Sequence, residues 1–306
     1  MAEEHEGTSK VVVGVDGSNC SRAALDWAAA EAARRGVELR IVHALGMPLV
    51  VSAYGPTHFR PTGEIDEQAT DVLKSAADRS RELHPSVSVE TVTALEEAPL
   101  ALLRQSHRHD LIVVGTRGLG TVAAMFVGSV SIRVAAQAPC PVVVVPSDDE
   151  GRPATTELNR VVVGVDGSKN ARRALGLATD LASGNNGELV IVNSWDVPYP
   201  YDPVAMTAAG YQPQQAVFEQ QSDQLVSELV EEVVKPRADV DVSVVRTQSG
   251  PVEALLKAAD GADAIVVGSR GRGTVRGLLL GSVSQGVLHR SKLPVIVLPK
   301  KADEED

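Results

Sequence analysis

The feature that most constrains how this chain folds is an internal duplication. The segment KVVVGVDGS at Lys10–Ser18 returns as RVVVGVDGS at Arg160–Ser168, an offset of 150 with eight of nine positions identical. Further on, Asp110–Ser129 aligns with Asp263–Ser282 at an offset of 153, with 12 of 20 positions identical. Solenoid units repeat every ~20–50 residues, which is far shorter. We therefore expect two copies of a whole domain, at residues 1–148 and 160–306, joined by a polar linker at 149–159 within the stretch SDDEGRPATTELN.

Each copy alternates short Val- and Ile-rich runs with helical patterns, which is typical of βαβ units around a parallel sheet. The first repeat predicts strands near Lys10–Asp16, Glu38–His43, Val87–Thr93, Leu111–Gly115 and Pro141–Pro146. It predicts helices near Ser21–Arg35, Glu64–Leu83 and Pro99–His107, and a fourth from Ser129 onward. The second repeat has the same order, with Val217, Leu225, Leu229 and Val233 marking its second helix. Five strands and four helices per copy predict a doubly wound α/β domain.

The composition of the strands predicts their places in the sheet. The first and fourth strands are apolar on both faces, as interior parallel strands are. The third strand alternates apolar and polar residues and suits an edge. The fifth, PCPVVVVP or LPVIVLP, is apolar throughout. Because an exposed apolar edge invites pairing, we expect the two repeats, or two chains, to pair through their fifth strands.

A glycine pattern after the fourth strand carries the functional prediction. Gly115-Thr-Arg-Gly118, nine residues and Gly128-Ser129 are matched by Gly268-Ser-Arg-Gly271, nine residues and Gly281-Ser282. Glycines let a ligand approach the backbone closely, and the N–H groups of such loops and of a helix start bind anions. Arg117 and Arg270 add positive charge, while Asp16 and Asp166 end the first strand at the same sheet edge, where a carboxylate suits a ribose or an amine. The pattern predicts a phosphate-binding site in each repeat.

This arrangement, G-x2-G-x9-G-[ST] with an Asp ending the first strand, resembles the tandem-domain, ATP-binding branch of the universal stress protein family. The resemblance covers about Lys10–Pro146 and Arg160–Pro299 and implies two Rossmann-like domains of strand order 3-2-1-4-5, paired through strand 5, that bind ATP with Mg. It implies that Asp16 and Asp166 hold the adenosine, and that Ala44 and Ser194 offer backbone contacts to adenine. The phosphate ligands that it implies are Gly115, Arg117, Gly118, Gly128, Ser129 and Ser131 in the first repeat, and Gly268, Arg270, Gly271, Gly281, Ser282 and Ser284 in the second.

The two repeats differ in charge beside the glycines. The second has Arg272 and Arg276 where the first has Leu119 and Ala123. We expect tighter or more salt-sensitive phosphate binding in the second repeat, or else arginines that only solvate a loop.

Composition excludes several other classes. The net charge of −11 and a pI near 5.2 argue against nucleic-acid binding. Two cysteines give neither a disulfide framework nor a Cys-based zinc site, and we expect Cys20 and Cys140 to pack. His43 and the pair His107 and His109 are expected to have structural or solvated roles. With neither a signal peptide nor a ~20-residue apolar run, a cytoplasmic protein without a membrane partner is expected.

Six of the nine aromatic residues lie in the connections Leu45–Gly63 and Trp195–Gln215, which predicts either lids over the ligand or anchors for long loops. Neither a Walker A lysine nor a G-x-G-x-x-G pattern is present. The preferred function is an ATP-binding energy or stress sensor, not an enzyme, acting as a homodimer or intramolecular pseudo-dimer read by a regulatory protein. A slow ATPase or nucleotide-dependent transferase and a nucleotide-free assembly module stay open, as does AMP or cyclic AMP as the ligand.

Overall fold

The protein is described by a computed structural model for residues 9–47, 49–52, 55–58, 63–116, 127–195, 215–271 and 280–300, with the backbone alone described at 49–52 and 55–58. The first repeat contains β1 (Lys10–Gly14), α1 (Asn19–Arg35), β2 (Glu38–Ala44), the hairpin β3 (Leu49–Ser52) and β4 (Gly55–His58), α2 (Gly63–Leu83), β5 (Val89–Ala94), α3 (Ala98–Arg104), β6 (Leu111–Gly115), α4 (Ser129–Gln137) and β7 (Val142–Val145). The hairpin corrects the expectation of an irregular connection at Leu45–Gly63.

The second repeat has the same order without a described hairpin. Its elements are β8 (Arg160–Gly164), α5 (Lys169–Gly184), β9 (Glu188–Trp195), α6 (Gln215–Leu229) followed by a π turn at Val230–Val234, β10 (Asp241–Gln248), α7 (Pro251–Ala258), β11 (Ala264–Gly268), α8 (Ser282–Arg290) and β12 (Val295–Leu298). Of the apolar residues expected on its second helix, Leu229 and Val233 are buried, but Val217 is exposed.

All described strands except β3 and β4 form one sheet of ten, in the order β10-β9-β8-β11-β12-β7-β6-β1-β2-β5. Each half has the order 3-2-1-4-5, which confirms the doubly wound α/β fold. The third strands β5 and β10 lie at the two edges, as their alternating sequences predict. At the centre β7 and β12 pair antiparallel, with Val143 opposite Ile296. The expected pairing of fifth strands therefore occurs within one chain.

Two apolar layers cover the faces of this sheet. Val11 and Val13 pack with Trp27 of α1 on one face, whereas Val12 faces Leu102 of α3 on the other. This alternation follows from the two-residue period of a strand, and both faces are buried because helices cover both. Each layer contains residues of both repeats, so the core runs across the β7–β12 junction.

The linker is folded against the first repeat. Asp148 accepts hydrogen bonds from the backbone N–H groups of Glu150 and Arg152, which closes a turn. Asn19 at the start of α1 donates to the Asp149 carbonyl at 2.9 Å, and Leu158 is fully buried. The polar stretch is thus a strap along α1 that leads directly into β8.

Candidate functional site

A cavity of about 880 Å³ opens at the carboxyl edge of the sheet in the second repeat. Pockets of ~300–1,000 Å³ are the usual size for small-molecule and cofactor sites. The cavity is lined by all eight residues that the sequence predicts there: Asp166, Ser194, Gly268, Arg270, Gly271, Gly281, Ser282 and Ser284. Residues up to 118 positions apart in the chain are thus brought to one place.

The VDGS segment builds one wall through a turn and a helix cap. The Asp166 Oδ1 atom accepts a hydrogen bond from the Ser168 N–H at 2.9 Å. Ser168 in turn caps α5, because its hydroxyl oxygen accepts from the Ala171 N–H. The first repeat has the same pair of contacts at Asp16 and Ser18. This segment therefore positions a carboxylate at the sheet edge and starts the next helix.

Gly271 belongs to the glycine loop that follows β11, and it lies close to the Asp166 carboxylate. A Cβ atom placed on Gly271 would lie 2.3 Å from Asp166 Oδ2, so any larger residue there must displace the carboxylate or the loop. The close approach of the backbone to Asp166 explains why residue 271 is a glycine.

The start of α8 forms the opposite wall. Gly281 occupies the N-cap and gives no side-chain hydrogen bond to the helix. The N–H groups of a first helical turn have no acceptor within the helix and carry partial positive charge. Gly281, Ser282 and Ser284 line the cavity at this end together with Arg270. The combination is one that binds anions.

Ser284 and Ser131 have a second task. The buried Ser284 hydroxyl donates to a backbone carbonyl, that of Gly281 or Ser269, and the buried Ser131 hydroxyl donates to the Gly115 carbonyl at 2.7 Å. Both tie the fourth helix of their repeat to the end of the fourth strand. These two hydroxyls brace the loop, whatever else they contact.

The described matching residues of the first repeat lie at the carboxyl edge of its own half of the sheet. Gly128 N–H donates to the Thr116 carbonyl, as Gly281 N–H does to Ser269. Gly115, however, is explained by packing, because its Cβ would lie 2.5 Å from the backbone oxygen of Cys20 in α1. Ser129 begins α4 next to these residues.

Several predicted residues lie outside the described residues: Arg117, Gly118, Leu119, Ala123, Arg272, Arg276, Tyr54, Phe59, Tyr199, Tyr201 and Tyr211. The predictions on the arginine-rich loop and on the aromatic lids stay predictions there.

The structure corrects the positions of five predicted residues. Ala44 and Ser194 were expected just after the second strand, but they lie inside β2 and β9, paired with Ala94 and Thr247. The strands extend further because their partners β5 and β10 continue alongside them. Trp195, expected in a loop, is the last residue of β9 and lines the cavity. Asp16 and Asp166, expected to end the first strand, follow two residues after β1 and β8.

Sequence reasoning missed several residues that line the cavity or support its walls. Asn170 donates from Nδ2 to the Arg270 carbonyl at 3.2 Å and so fixes the glycine loop. Asn193 donates to the Val165 carbonyl and accepts from the Ser222 hydroxyl, at 2.7 Å each. Phe218 of α6 also lines the cavity. The alignment of the two repeats could have marked Asn170 and Asn193, because the first repeat has the different residues Cys20 and His43 at the matching positions.

The histidines and cysteines have local partners. His43 Nδ1 lies 2.8 Å from the Val15 carbonyl, and Asp110 accepts from the His107 N–H at 2.7 Å. Cys140 is fully buried, and burial raises the pKa of its thiol to about 12. Cys20 is partly exposed and lies 3.1 Å from the Ser147 hydroxyl.

Over the part of the chain that the structure describes, no group of three or more His, Cys, Asp or Glu side chains could hold a metal ion. Within the same residues, every helix is too short or too polar to cross a membrane.

Fold and cavity together define a duplicated α/β protein with a cavity at the carboxyl edge of its sheet. The universal stress protein family model matches residues 7–146 and 157–299, once in each repeat. A universal stress protein of Mycobacterium tuberculosis is 32% identical over 292 residues, which cover 94% of this chain and 96% of that one. The chain belongs to the universal stress protein family.

A solved structure shares this fold. A universal stress protein of Archaeoglobus fulgidus is 23% identical, covers 96% of this chain and 97% of that chain, and superposes with a TM-score of 0.66. A universal stress protein solved in complex with cAMP is 28% identical over 47% of this chain and 98% of that chain, with a TM-score of 0.35.

Proposed function

We propose that this protein binds ATP, with one site per repeat, and acts as an energy or stress sensor whose ligand-bound form is read by a regulatory partner. The observation that carries the proposal is the cavity of the second repeat. It joins an anion-binding end, made of Arg270, the glycine loop and the start of α8, to an apolar end that includes Val192, Leu225 and Leu255. A nucleotide has the same two-part chemistry, with charged phosphates and a flat, weakly polar base.

The proposal assigns roles to the polar residues and to the helix start that line the cavity. Asp166 accepts hydrogen bonds from the ribose, and the backbone beside Ser194 faces the base. Arg270 and the N–H groups at Gly281 and Ser282 hold the phosphates. Asp16, Ala44, Gly115, Arg117, Gly118, Gly128, Ser129 and Ser131 are proposed to do the same in the first repeat.

The residues of the cavity fit Mg²⁺ only when the ion is bound to the phosphates of a nucleotide. Mg²⁺ is usually held by one or two carboxylates plus phosphate oxygens and water. In the cavity lining that the structure describes, Asp166 is the one carboxylate, and one of its oxygens accepts from Ser168. When bound, the ion would neutralise phosphate charge.

We propose binding rather than rapid turnover for the same reason. A base for an attacking water must lie within hydrogen-bond reach of it, and Asp166, the one carboxylate in the described cavity lining, is assigned to the ribose and not to the terminal phosphate. A ligand that persists suits a sensor, because a partner can then distinguish the ordered loop from the empty one.

Dimer-like pairing through strand 5 is supplied within the chain by β7 and β12. Association with a second copy would have to use another surface.

The test is calorimetric titration of nucleotide-stripped protein with ATP and Mg, on wild type, Arg270→Ala and Arg290→Ala. Arg290 is the matched control because it lies at the far end of the helix that Ser282 begins. Each variant loses one positive charge. Weaker binding in Arg270→Ala alone supports contact with the phosphates. Equal losses in both variants would indicate only long-range attraction. AMP and cyclic AMP in the same assay identify the preferred ligand, and the absence of binding of all three would favour the assembly module.

A further inference from the structure

The base end of the second-repeat cavity is aromatic. Trp195, at the end of β9, and Phe218, near the start of α6, both line it. The whole chain has nine aromatic residues, and two of them line this one cavity. Aromatic rings offer flat, polarisable surfaces on which a nucleobase stacks.

The first repeat has aliphatic residues at both positions. β1 pairs Val11 with Leu39, and β8 pairs Val161 with Leu189, so strand residues correspond at an offset of 150 and Trp195 matches Leu45. On the second helix the offset is 153, because the buried residues Ala69, Leu73 and Ala76 then match Ser222, Val226 and Leu229. Phe218 therefore matches Ile65.

The indole N–H of Trp195 adds a second difference. Among the described residues its Nε1 is shielded from solvent and has no hydrogen-bond acceptor. Trp27 shares this property, but it lies in the core of the first repeat. Of the two tryptophans, Trp195 is the one in the cavity lining, and because its N–H lies in the plane of the ring, a ligand oxygen beside a stacked base is the kind of acceptor that this group lacks.

We propose that Trp195 and Phe218 bind the nucleobase of the ligand in the second repeat by stacking, and that the first repeat, with Leu45 and Ile65, lacks this stacking. The inference rests on the proposed function and assigns the two sites different roles. Binding in the second repeat depends on a nucleobase, whereas binding in the first depends mainly on polyphosphate and sugar.

The first experiment uses Trp195 as its own reporter. Trp27→Phe leaves Trp195 as the single tryptophan of the full chain. Titration with ATP should change its emission in a saturable way, and inorganic tripolyphosphate should bind in competition with ATP but leave the emission nearly unchanged. Identical responses to ATP and tripolyphosphate would contradict stacking at Trp195.

The second experiment exchanges residues between the repeats. Trp195→Leu and Phe218→Ile install the residues that the first repeat already accommodates, and Trp195→Phe keeps a ring but removes the N–H. Stacking on an aromatic side chain contributes enough that we expect Trp195→Leu to weaken ATP binding at this site at least about fivefold, with tripolyphosphate affinity unchanged. Trp195→Phe should lie between wild type and Trp195→Leu, and Trp27→Phe should equal wild type.

The possible results distinguish a failure of the proposed aromatic stacking from a failure of the proposed ATP site. If Arg270→Ala weakens ATP binding but Trp195→Leu and Phe218→Ile do not, the proposed ATP site is supported and the proposed stacking is wrong. If neither Arg270→Ala nor the aromatic variants change ATP binding, the proposed function fails as well.

Discussion

Replacing Gly271 by alanine tests how closely the glycine loop approaches the site. The new Cβ would lie 2.3 Å from Asp166 Oδ2, well inside van der Waals contact, so the carboxylate or the loop must move. The carboxylate also accepts the 2.9 Å hydrogen bond from Ser168 N–H. A hydrogen bond to a charged group contributes about 1.5–3 kcal/mol. If ligand binding must restore that geometry, the Kd for ATP rises roughly 10- to 150-fold.

Calorimetry on the Asp16→Ala background isolates the second repeat for this measurement. Gly184→Ala is the matched control, because Gly184 ends α5 and nothing lies within 4 Å of its added Cβ. The control should keep the ATP affinity of its background. A Gly271→Ala protein that binds ATP as tightly as the control would refute the inferred crowding between loop and carboxylate.

Three further predictions concern stability and reactivity. Ser131→Ala leaves the Gly115 carbonyl without its buried donor and should lower the free energy of unfolding by about 1–3 kcal/mol in denaturant titration, whereas Ser129→Ala, at an exposed position, should change it little. A thiol reagent at pH 8 should label Cys20 and spare Cys140 until the protein unfolds, since burial raises the pKa of the Cys140 thiol to about 12; two fast-reacting thiols would contradict this. Hydrogen bonds from Arg152, of which the one from its backbone N–H is the largest cause, lower the pKa of Asp148. The stability that this carboxylate gives the linker turn is therefore present above the ordinary pKa of an aspartate and is lost as the pH falls through the lowered pKa. An NMR titration that places the pKa of Asp148 at or above the ordinary value would contradict this prediction.

The fold was predictable because its signals are local and occur twice. Val-rich strands, alternating edge strands and the apolar fifth strand each specify a place in the sheet, and the duplication doubles every one of them. The pairing of Val143 with Ile296 follows from the cost of leaving such an edge open.

The site was predictable only where glycine or charge marks it. Asp166 and Arg270 follow from the motif, but the role of Asn170 depends on how α5 approaches the loop, which no spacing shows. From the sequence, Trp195 is equally consistent with a lid and with a loop anchor, and no motif marks Phe218; only the folded chain shows that both line the cavity. The hairpin at Leu49–His58 was missed because Gly and Pro interrupt its second strand.

The most direct test of the central claim is a crystal structure of nucleotide-stripped protein grown with ATP and Mg at about 100 times the measured Kd. The account predicts a nucleotide in the second-repeat cavity, with its phosphates against Arg270 and the start of α8 and its base against Trp195. An empty cavity under those conditions, or a nucleotide bound elsewhere on the chain, would contradict it.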